Sequence, residues 1–312
     1  MSTTQPRLAP IDLDALGLDS FAGRPVAVLG LARSGVALAR FLADHGATVT
    51  VYDGQPAAAL AGRLEQLEGR PVRALLGPDV DPTEALRGQA LVATSPSVSS
   101  RYPTTEPRLR AALAALEAEG RVPIVSEIDL FLRLCPSMTV GVTGTKGKTT
   151  TASLIAAVLS GGELPVLLGG NIGVPLIERL PELNARHRVV LELSELQLPT
   201  LSRGTDVGVY THVSSDHLDR HGSIEEYRRV KRRLAELVPV HGRVVLNAED
   251  PVSRAFAAAG HAWPLYYHRA QVPHAGVGVS DGWIVAPQVE RLAGGRARTG
   301  VEGRVMPLDE VR

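Results

Sequence analysis

The sequence has one cysteine, Cys135, in 312 residues. No internal disulfide and no cysteine-built metal cluster can form from it. Such usage suits a reducing compartment, so a cytoplasmic protein is expected. Aromatic residues make up only 4%, which argues against base-stacking platforms for single-stranded nucleic acid. Surplus charge is missing too: 33 Lys plus Arg balance 33 Asp plus Glu, so bulk charge marks no nucleic-acid face. No apolar run approaches the roughly 20 residues that a membrane span requires. Met1–Pro10 is polar and lacks the apolar stretch of a secretion signal, so it reads as a short flexible tail. There is no internal repeat. What is present is a 44% hydrophobic content, enough for real cores, and a length that suits two domains.

The first part alternates strand and helix. Pro25–Leu29 reads as a buried strand and Gly30–Gly35 as a turn. Ser34–His45 carries Val36, Leu38, Phe41 and Leu42 at helical spacing and stops at Gly46. Further strands are expected at Thr48–Tyr52, ending on Asp53, at Ala90–Ala93 and at Ile124–Val125, with a helix over Glu106–Glu119. That order predicts a doubly wound parallel sheet, a Rossmann-like α/β domain over residues 1–126. A second α/β unit, over 127–312, opens with a helix at Ile128–Leu134. It continues through a strand at Met138–Val142, a glycine loop and a helix at Lys148–Leu159. Strands follow at Val189–Leu193, Val207–Thr211 and Arg243–Leu246, with a charged helix, Ile224–Leu237, before the last. After Gly260 only short β pieces remain, at Leu265–Tyr267 and Trp283–Val285. No closing helix precedes Arg312, so the polypeptide is expected to stop before this second fold is complete.

Gly144-Thr145-Lys146-Gly147-Lys148-Thr149-Thr150 lies between an apolar strand and a helix, the setting that a phosphate loop requires. Glycines let backbone N–H groups approach phosphates, and the helix N-terminus adds the positive end of a dipole. Lys148 is placed to neutralise phosphate charge and Thr149 to offer a hydroxyl to Mg²⁺. The general spacing wants glycine five positions before Gly147, where Val142 stands, so this is a shorter variant. Glu192 and His217 each follow a predicted strand, at the edge where open α/β sheets hold ligands. A carboxylate and an imidazole there suit Mg²⁺. Taken alone, Glu192 is equally a helix cap and His217 a loop histidine.

The T-G-T-K-G-K-T-T loop resembles that of the Mur ligases and of the folylpolyglutamate synthetases. Three further segments favour the Mur ligases: Gly169-Gly170-Asn171-Ile172-Gly173, Leu191-Glu192-Leu193-Ser194-Glu195-Leu196-Gln197-Leu198, and Asp216-His217-Leu218-Asp219-Arg220-His221. The resemblance runs from about Arg24 to Arg312. It implies an ATP-dependent ligase of peptidoglycan synthesis that joins D-glutamate to UDP-N-acetylmuramoyl-L-alanine. It also implies a monomer in which residues 127–312 bind ATP with Mg²⁺. ATP contacts are then implied for residues 144–150 and Asn171, metal contacts for Thr149, Glu192, His217 and Lys231, and catalytic roles for Lys148, His217 and Lys231. Tyr227 and Lys231 keep the family's Y-x-x-x-K spacing, whose lysine is carbamylated by CO₂. The residues alone read Lys231 as a solvated lysine in the charged run Arg228–Arg233.

Gly30-Leu31-Ala32-Arg33-Ser34-Gly35 is Rossmann-like, but Ala32 replaces the second glycine of the dinucleotide fingerprint. By resemblance, residues 1–126 take the UDP part of the substrate through Gly30, Ser34, Asp53 and Ser95, with Ser194 and Gln197 adding contacts. Asp53 alone does not discriminate, since an NAD site carries an acidic residue in the same place. Several positions depart from the family: Ser97 stands for glycine, Glu195 and Leu196 for Ser and Phe, and Ser215 for an acidic residue. The family's third, Rossmann-like C-terminal domain is expected to be absent from this sequence, so the chain alone is expected to be inactive. Two other readings stay open, a folylpolyglutamate synthetase-like ligase and a non-catalytic nucleotide-binding module.

Overall fold

A computed structural model describes residues 9–214, 223–287 and 303–311. Two compact α/β units are present, each around its own sheet. In the first, the chain runs β1 (Pro25–Leu29), α1 (Arg33–Asp44), β2 (Thr48–Asp53), α2 (Ala57–Leu64) and β3 (Val72–Leu76). It continues through α3 (Pro82–Leu86), β4 (Leu91–Thr94), α4 (Pro107–Glu119), β5 (Ile124–Ser126) and α5 (Glu127–Leu134). The sheet order is β3-β2-β1-β4-β5, and every pairing is parallel. This is the expected Rossmann-like sheet. Its strand order reverses beside β1, which opens a crevice beyond the C-terminal ends of β1 and β4.

Local chemistry sets the helices. α1 buries Val36, Leu38, Phe41 and Leu42, the residues at helical spacing. α4 begins at Pro107, with the Glu106 carboxylate accepting the Leu109 N–H, and ends on left-handed Gly120. The Ser126 hydroxyl caps α5 by accepting the Asp129 N–H at 3.2 Å. Ala27, Leu29, Tyr52, Val92, Leu109 and Leu113 form one core between sheet and helices.

The first unit is not one continuous stretch: residues 172–187 and 196–203 pack with 1–137. Buried side chains of α5 and of the loop before α4 hold them. Glu127 accepts the Ile177 N–H at 3.2 Å. Asp129 accepts the Ser202 N–H at 2.7 Å, the Ser202 hydroxyl and the Arg203 N–H. Tyr102 donates its hydroxyl to Leu196 O at 2.5 Å.

The second unit comprises β6 (Met138–Thr143), α6 (Lys148–Ser160), β7 (Val166–Gly170), β8 (Arg188–Glu192) and β9 (Val207–Tyr210). After the helix Ile224–Leu237 come β10 (Arg243–Asn247), the short helix Pro251–Ala255, β11 (Trp263–Tyr267), β12 (Gly276–Ser280), β13 (Trp283–Val285) and β14 (Arg304–Pro307). Among the described residues the sheet has nine strands in the order β14-β13-β12-β11-β10-β9-β6-β8-β7. The strands from β7 to β12 pair in parallel and the last two pairings are antiparallel. The pieces after Gly260 therefore extend the main sheet. Val140, Val142, Ala152, Ala156, Val190 and Val209 pack α6 onto its centre. The architecture is α/β, a Rossmann-like unit together with a P-loop-type unit. Among the described residues no helix is long and apolar enough to cross a membrane.

Candidate nucleotide and metal site

β6 occupies the middle of the second sheet, with β8 on one side and β9 on the other. The loop after it has backbone shapes that only glycine tolerates. Gly144 has φ +148°, and a Cβ there would lie 2.0 Å from Thr211 Oγ1. Gly147 has φ +82° and serves as N-cap of α6. The loop is pinned by residues beyond β9. Thr145 donates its N–H to His212 O at 2.6 Å, and Thr211 donates its hydroxyl to Lys146 O at 2.6 Å. Lys148 opens α6 and folds back, Nζ 2.9 Å from Thr145 O. The N-terminus of α6, behind this loop, is where an anion would be received.

β7 and β8 deliver the acidic side of the site. Glu192, at the end of β8, is buried. Its Oε2 accepts the Thr149 hydroxyl at 2.6 Å and its Oε1 accepts Asn171 Nδ2 at 2.9 Å. Gly170 permits this approach, because a Cβ at that position would meet Glu192 O at 2.4 Å. Glu192 thus stands at the mouth of the loop as a metal ligand would, and hard oxygen donors are what Mg²⁺ selects. Among the described residues no three His, Cys, Asp or Glu side chains gather as a metal cluster. His217 lies outside the described residues.

The helix Ile224–Leu237 brings the remaining residues. Ser223 caps it by accepting the Glu226 N–H, and Tyr227, Val230, Lys231 and Leu234 form its buried face. Lys231 is wholly buried. This corrects the residue-level expectation of a solvated lysine: the spacing of Tyr227, Lys231 and Leu234 places it on the apolar face, while Arg229 and Arg232 face solvent and Arg228 and Arg233 are half-buried. Its Nζ is 3.4 Å from Thr143 Oγ1 and 5.4 Å from the Tyr227 ring centre. Tyr227 in turn hydrogen-bonds Thr145 Oγ1 at 2.9 Å. The structure therefore gathers Gly144–Thr150, Asn171 and Glu192 into one site and ties the Lys231 helix to the same loop. Thr143, Tyr210 and Thr211 were missed. Each is a hydroxyl placed only by sheet pairing, and no spacing in the sequence marks it.

In the first unit, Gly30, Asp53 and Ser95 meet at the C-terminal ends of β1, β2 and β4. Ser95 donates its hydroxyl to Gly30 O at 3.0 Å, and Asp53 Oδ2 accepts the Leu31 N–H at 2.8 Å. Gly35 packs so closely that a Cβ would lie 1.8 Å from Gly30 O. Ser34 stands half-buried in the first turn of α1. Ser194 and Gln197 are buried, the first in the second unit and the second in the segment that joins the first.

Residues 142–270 match the family described as the Mur ligase middle domain, and they contain the phosphate loop, Asn171, Glu192 and Lys231. The UDP-N-acetylmuramoylalanine–D-glutamate ligase of Acetivibrio thermocellus is 34% identical over 262 residues, 84% of this chain and 54% of that protein. Residues 142–270 thus belong to the Mur ligase family. The ligase of the same name from Geobacter metallireducens is 38% identical over 250 residues, 79% of this chain and 53% of the relative. That from Symbiobacterium thermophilum is 34% identical over 92% of this chain and 59% of its own length. The chain thus spans about half the length of the curated relatives it matches. Among solved Mur ligases, the UDP-N-acetylmuramate:L-alanyl-gamma-D-glutamyl-meso-diaminopimelate ligase from Neisseria meningitides superposes with a TM-score of 0.53 at 17% identity. The match covers 85% of each chain, a likeness of fold alone.

Proposed function

We propose that this chain carries the ATP and UDP-substrate sites of a ligase that joins D-glutamate to UDP-N-acetylmuramoyl-L-alanine in peptidoglycan synthesis. A carboxylate resists attack by an amine because its oxygen leaves poorly. Phosphoryl transfer from ATP gives an acyl phosphate, and the D-glutamate amine then displaces phosphate to form the amide. The chain's part is positioning and charge stabilisation. Lys148, released from Thr145 O, faces the β/γ-phosphates; residues 144–150 cradle the phosphates and Asn171 lines the site beside them. Bound Mg²⁺ neutralises charge on the phosphoryl oxygens. Thr149 and Glu192 fit it as oxygen donors, and His217 and a carbamylated Lys231 complete the set. Residues 1–126 receive the UDP moiety through Gly30, Ser34, Asp53 and Ser95, with Ser194 and Gln197 completing the substrate contacts, while residues 127–312 receive ATP. The protein acts in the cytoplasm as a monomer.

The observation that carries this reading is the contact of Glu192 with both Thr149 and Asn171 at the mouth of the loop. It places a buried carboxylate where a phosphate loop alone needs none. The test is calorimetric titration of residues 1–312 with ATP, with and without Mg²⁺, and with UDP. Amide formation is assayed in parallel in the protein that carries this chain. Mg²⁺-dependent ATP binding that Lys148→Ala removes is expected. ATP binding indifferent to both Mg²⁺ and Lys148 would sink the assignment. Binding without any D-glutamate-dependent phosphate release would instead favour a non-catalytic nucleotide module.

A further inference from the structure

Tyr210 ends β9 with its ring wholly buried, edge-on to Phe256 at 5.2 Å. Its hydroxyl accepts the Ala235 N–H at 2.9 Å and donates to Lys231 O at 2.7 Å. Lys231 and Ala235 are four residues apart in one helix, so these are the two groups that an undisturbed helix joins to each other. The phenol oxygen therefore stands inside the helical ladder, a known cause of local helix distortion.

This arrangement is more than a buried hydroxyl finding a partner. A phenylalanine here would keep the ring contact with Phe256 and let the helix close its own bond. The hydroxyl grips the turn that carries Lys231, and it also lies 3.5 Å from Arg232 O. Burial pushes the phenol well above its usual range, so it stays a neutral O–H able to donate and accept at once. The same turn is held from the other side by Lys231 Nζ against Thr143 Oγ1, which itself donates to Leu193 O at 2.9 Å.

We propose that Tyr210 is a positioning residue whose inserted hydroxyl fixes where the Lys231 side chain stands beside the phosphate loop, and so sets the Mg²⁺ dependence of nucleotide binding. The proposal rests on the assignment of Lys231 to the metal site made above. In the similar ligases the metal-site lysine acts as a carbamate; Tyr210 sets where the Lys231 side chain starts and Thr143 holds its Nζ, and together they limit where carbamate oxygens can stand. Outer partners of metal ligands typically contribute about 10–100-fold to metal affinity.

The test compares Tyr210→Phe, Phe256→Leu and Lys231→Ala in residues 1–312. Each is titrated with ATP in the presence and absence of Mg²⁺, and each is examined by ¹³C NMR in ¹³C-bicarbonate for the lysine carbamate. Tyr210→Phe should lose about tenfold in the Mg²⁺-dependent part of ATP affinity, weaken the carbamate signal, and leave Mg²⁺-free ATP affinity within about twofold. Phe256→Leu disturbs the same packing but keeps the hydroxyl, so it should lower the melting temperature and leave both readouts in place. An unchanged Mg²⁺ effect and carbamate signal in Tyr210→Phe, with Lys231→Ala losing both, would overturn the proposal while the metal site stands. A Lys231→Ala protein with an undiminished Mg²⁺ effect would remove the metal assignment, and this proposal with it.

Discussion

Thr149 donates its hydroxyl to Glu192 at 2.6 Å, which joins the first turn of α6 to the end of β8 across the centre of the sheet. The pair is charge-assisted, and Asn171 satisfies the other carboxylate oxygen. Glu192→Gln keeps the shape and removes the charge. Mg²⁺-dependent ATP affinity should fall at least about tenfold, whereas Mg²⁺-free ATP affinity should hold or rise as repulsion of the phosphates is relieved. Titration calorimetry at fixed ionic strength checks this. A Glu192→Gln protein that binds Mg²⁺-ATP as tightly as the unsubstituted chain would exclude Glu192 as a ligand.

Gly144→Ala should be damaging for a local reason. The backbone there has φ +148°, and the new methyl would meet Thr211 Oγ1, the hydroxyl that holds Lys146 O. Backbone strain of this kind costs roughly 1–3 kcal/mol, which lowers the melting temperature of a domain this size by several degrees. ATP affinity should fall more than stability does, since the displaced loop is the binding element. Unaltered nucleotide affinity in Gly144→Ala would mean that the loop does not hold phosphates.

Much of this was legible in advance, and the failures have physical causes. β1, α1 and β6 could be read because buried parallel strands and a one-sided helix leave strong patterns, whereas α6, which exposes Leu154 and Val158, was marked by the glycine loop before it. β3 was missed because Val72–Leu76 is a half-exposed edge strand with no clean alternation. The passage of 172–187 and 196–203 into the first unit was invisible, since it depends on the buried acids Glu127 and Asp129 gripping distant backbone amides. Lys231 shows a mixed case: its neighbours look like a solvated charge run, yet its distance from Tyr227 and Leu234 puts it on the buried face.

The first unit should take UDP and refuse NAD. In a dinucleotide site the second glycine lets the backbone approach the pyrophosphate, and Ala32 stands there as N-cap of α1. Asp53 accepts the Leu31 and Gln55 N–H groups, so its carboxylate anchors the turn and keeps a lone pair on each oxygen for a ligand; it does not separate UDP from NAD, and the distinction rests on Ala32. Titration of residues 1–312 with each nucleotide should give measurable UDP binding and none with NAD. Asp53→Ala should weaken UDP binding and loosen the Gly30 turn together. NAD binding tighter than UDP binding would reverse the assignment.

Glu127 should make stability fall as pH rises. It is almost fully buried, and burial raises its pKa from 4.5 to about 7, with Glu178 adding to the rise and the Ile177 and Leu176 amides and Arg33 opposing it. The folded-state value lies above the unfolded one, so between them the native state holds a proton that the unfolded chain has released. Stability is therefore greatest on the acid side of this window, declines as pH climbs from about 4.5, and levels off above about 7. A shift of that size corresponds to at most roughly 3 kcal/mol. The charged form is not stranded, because the Ile177 N–H remains 3.2 Å from Oε1, so the loss should stay below that ceiling. Glu127→Gln keeps an acceptor for that amide and cannot titrate. Its melting temperature should vary less between pH 5 and pH 8 than that of the unsubstituted chain, and at pH 8 it should be the more stable of the two. Parallel melting curves for the two proteins across that range would show that Glu127 does not titrate there, and that its carboxyl ionises near the ordinary value despite its burial.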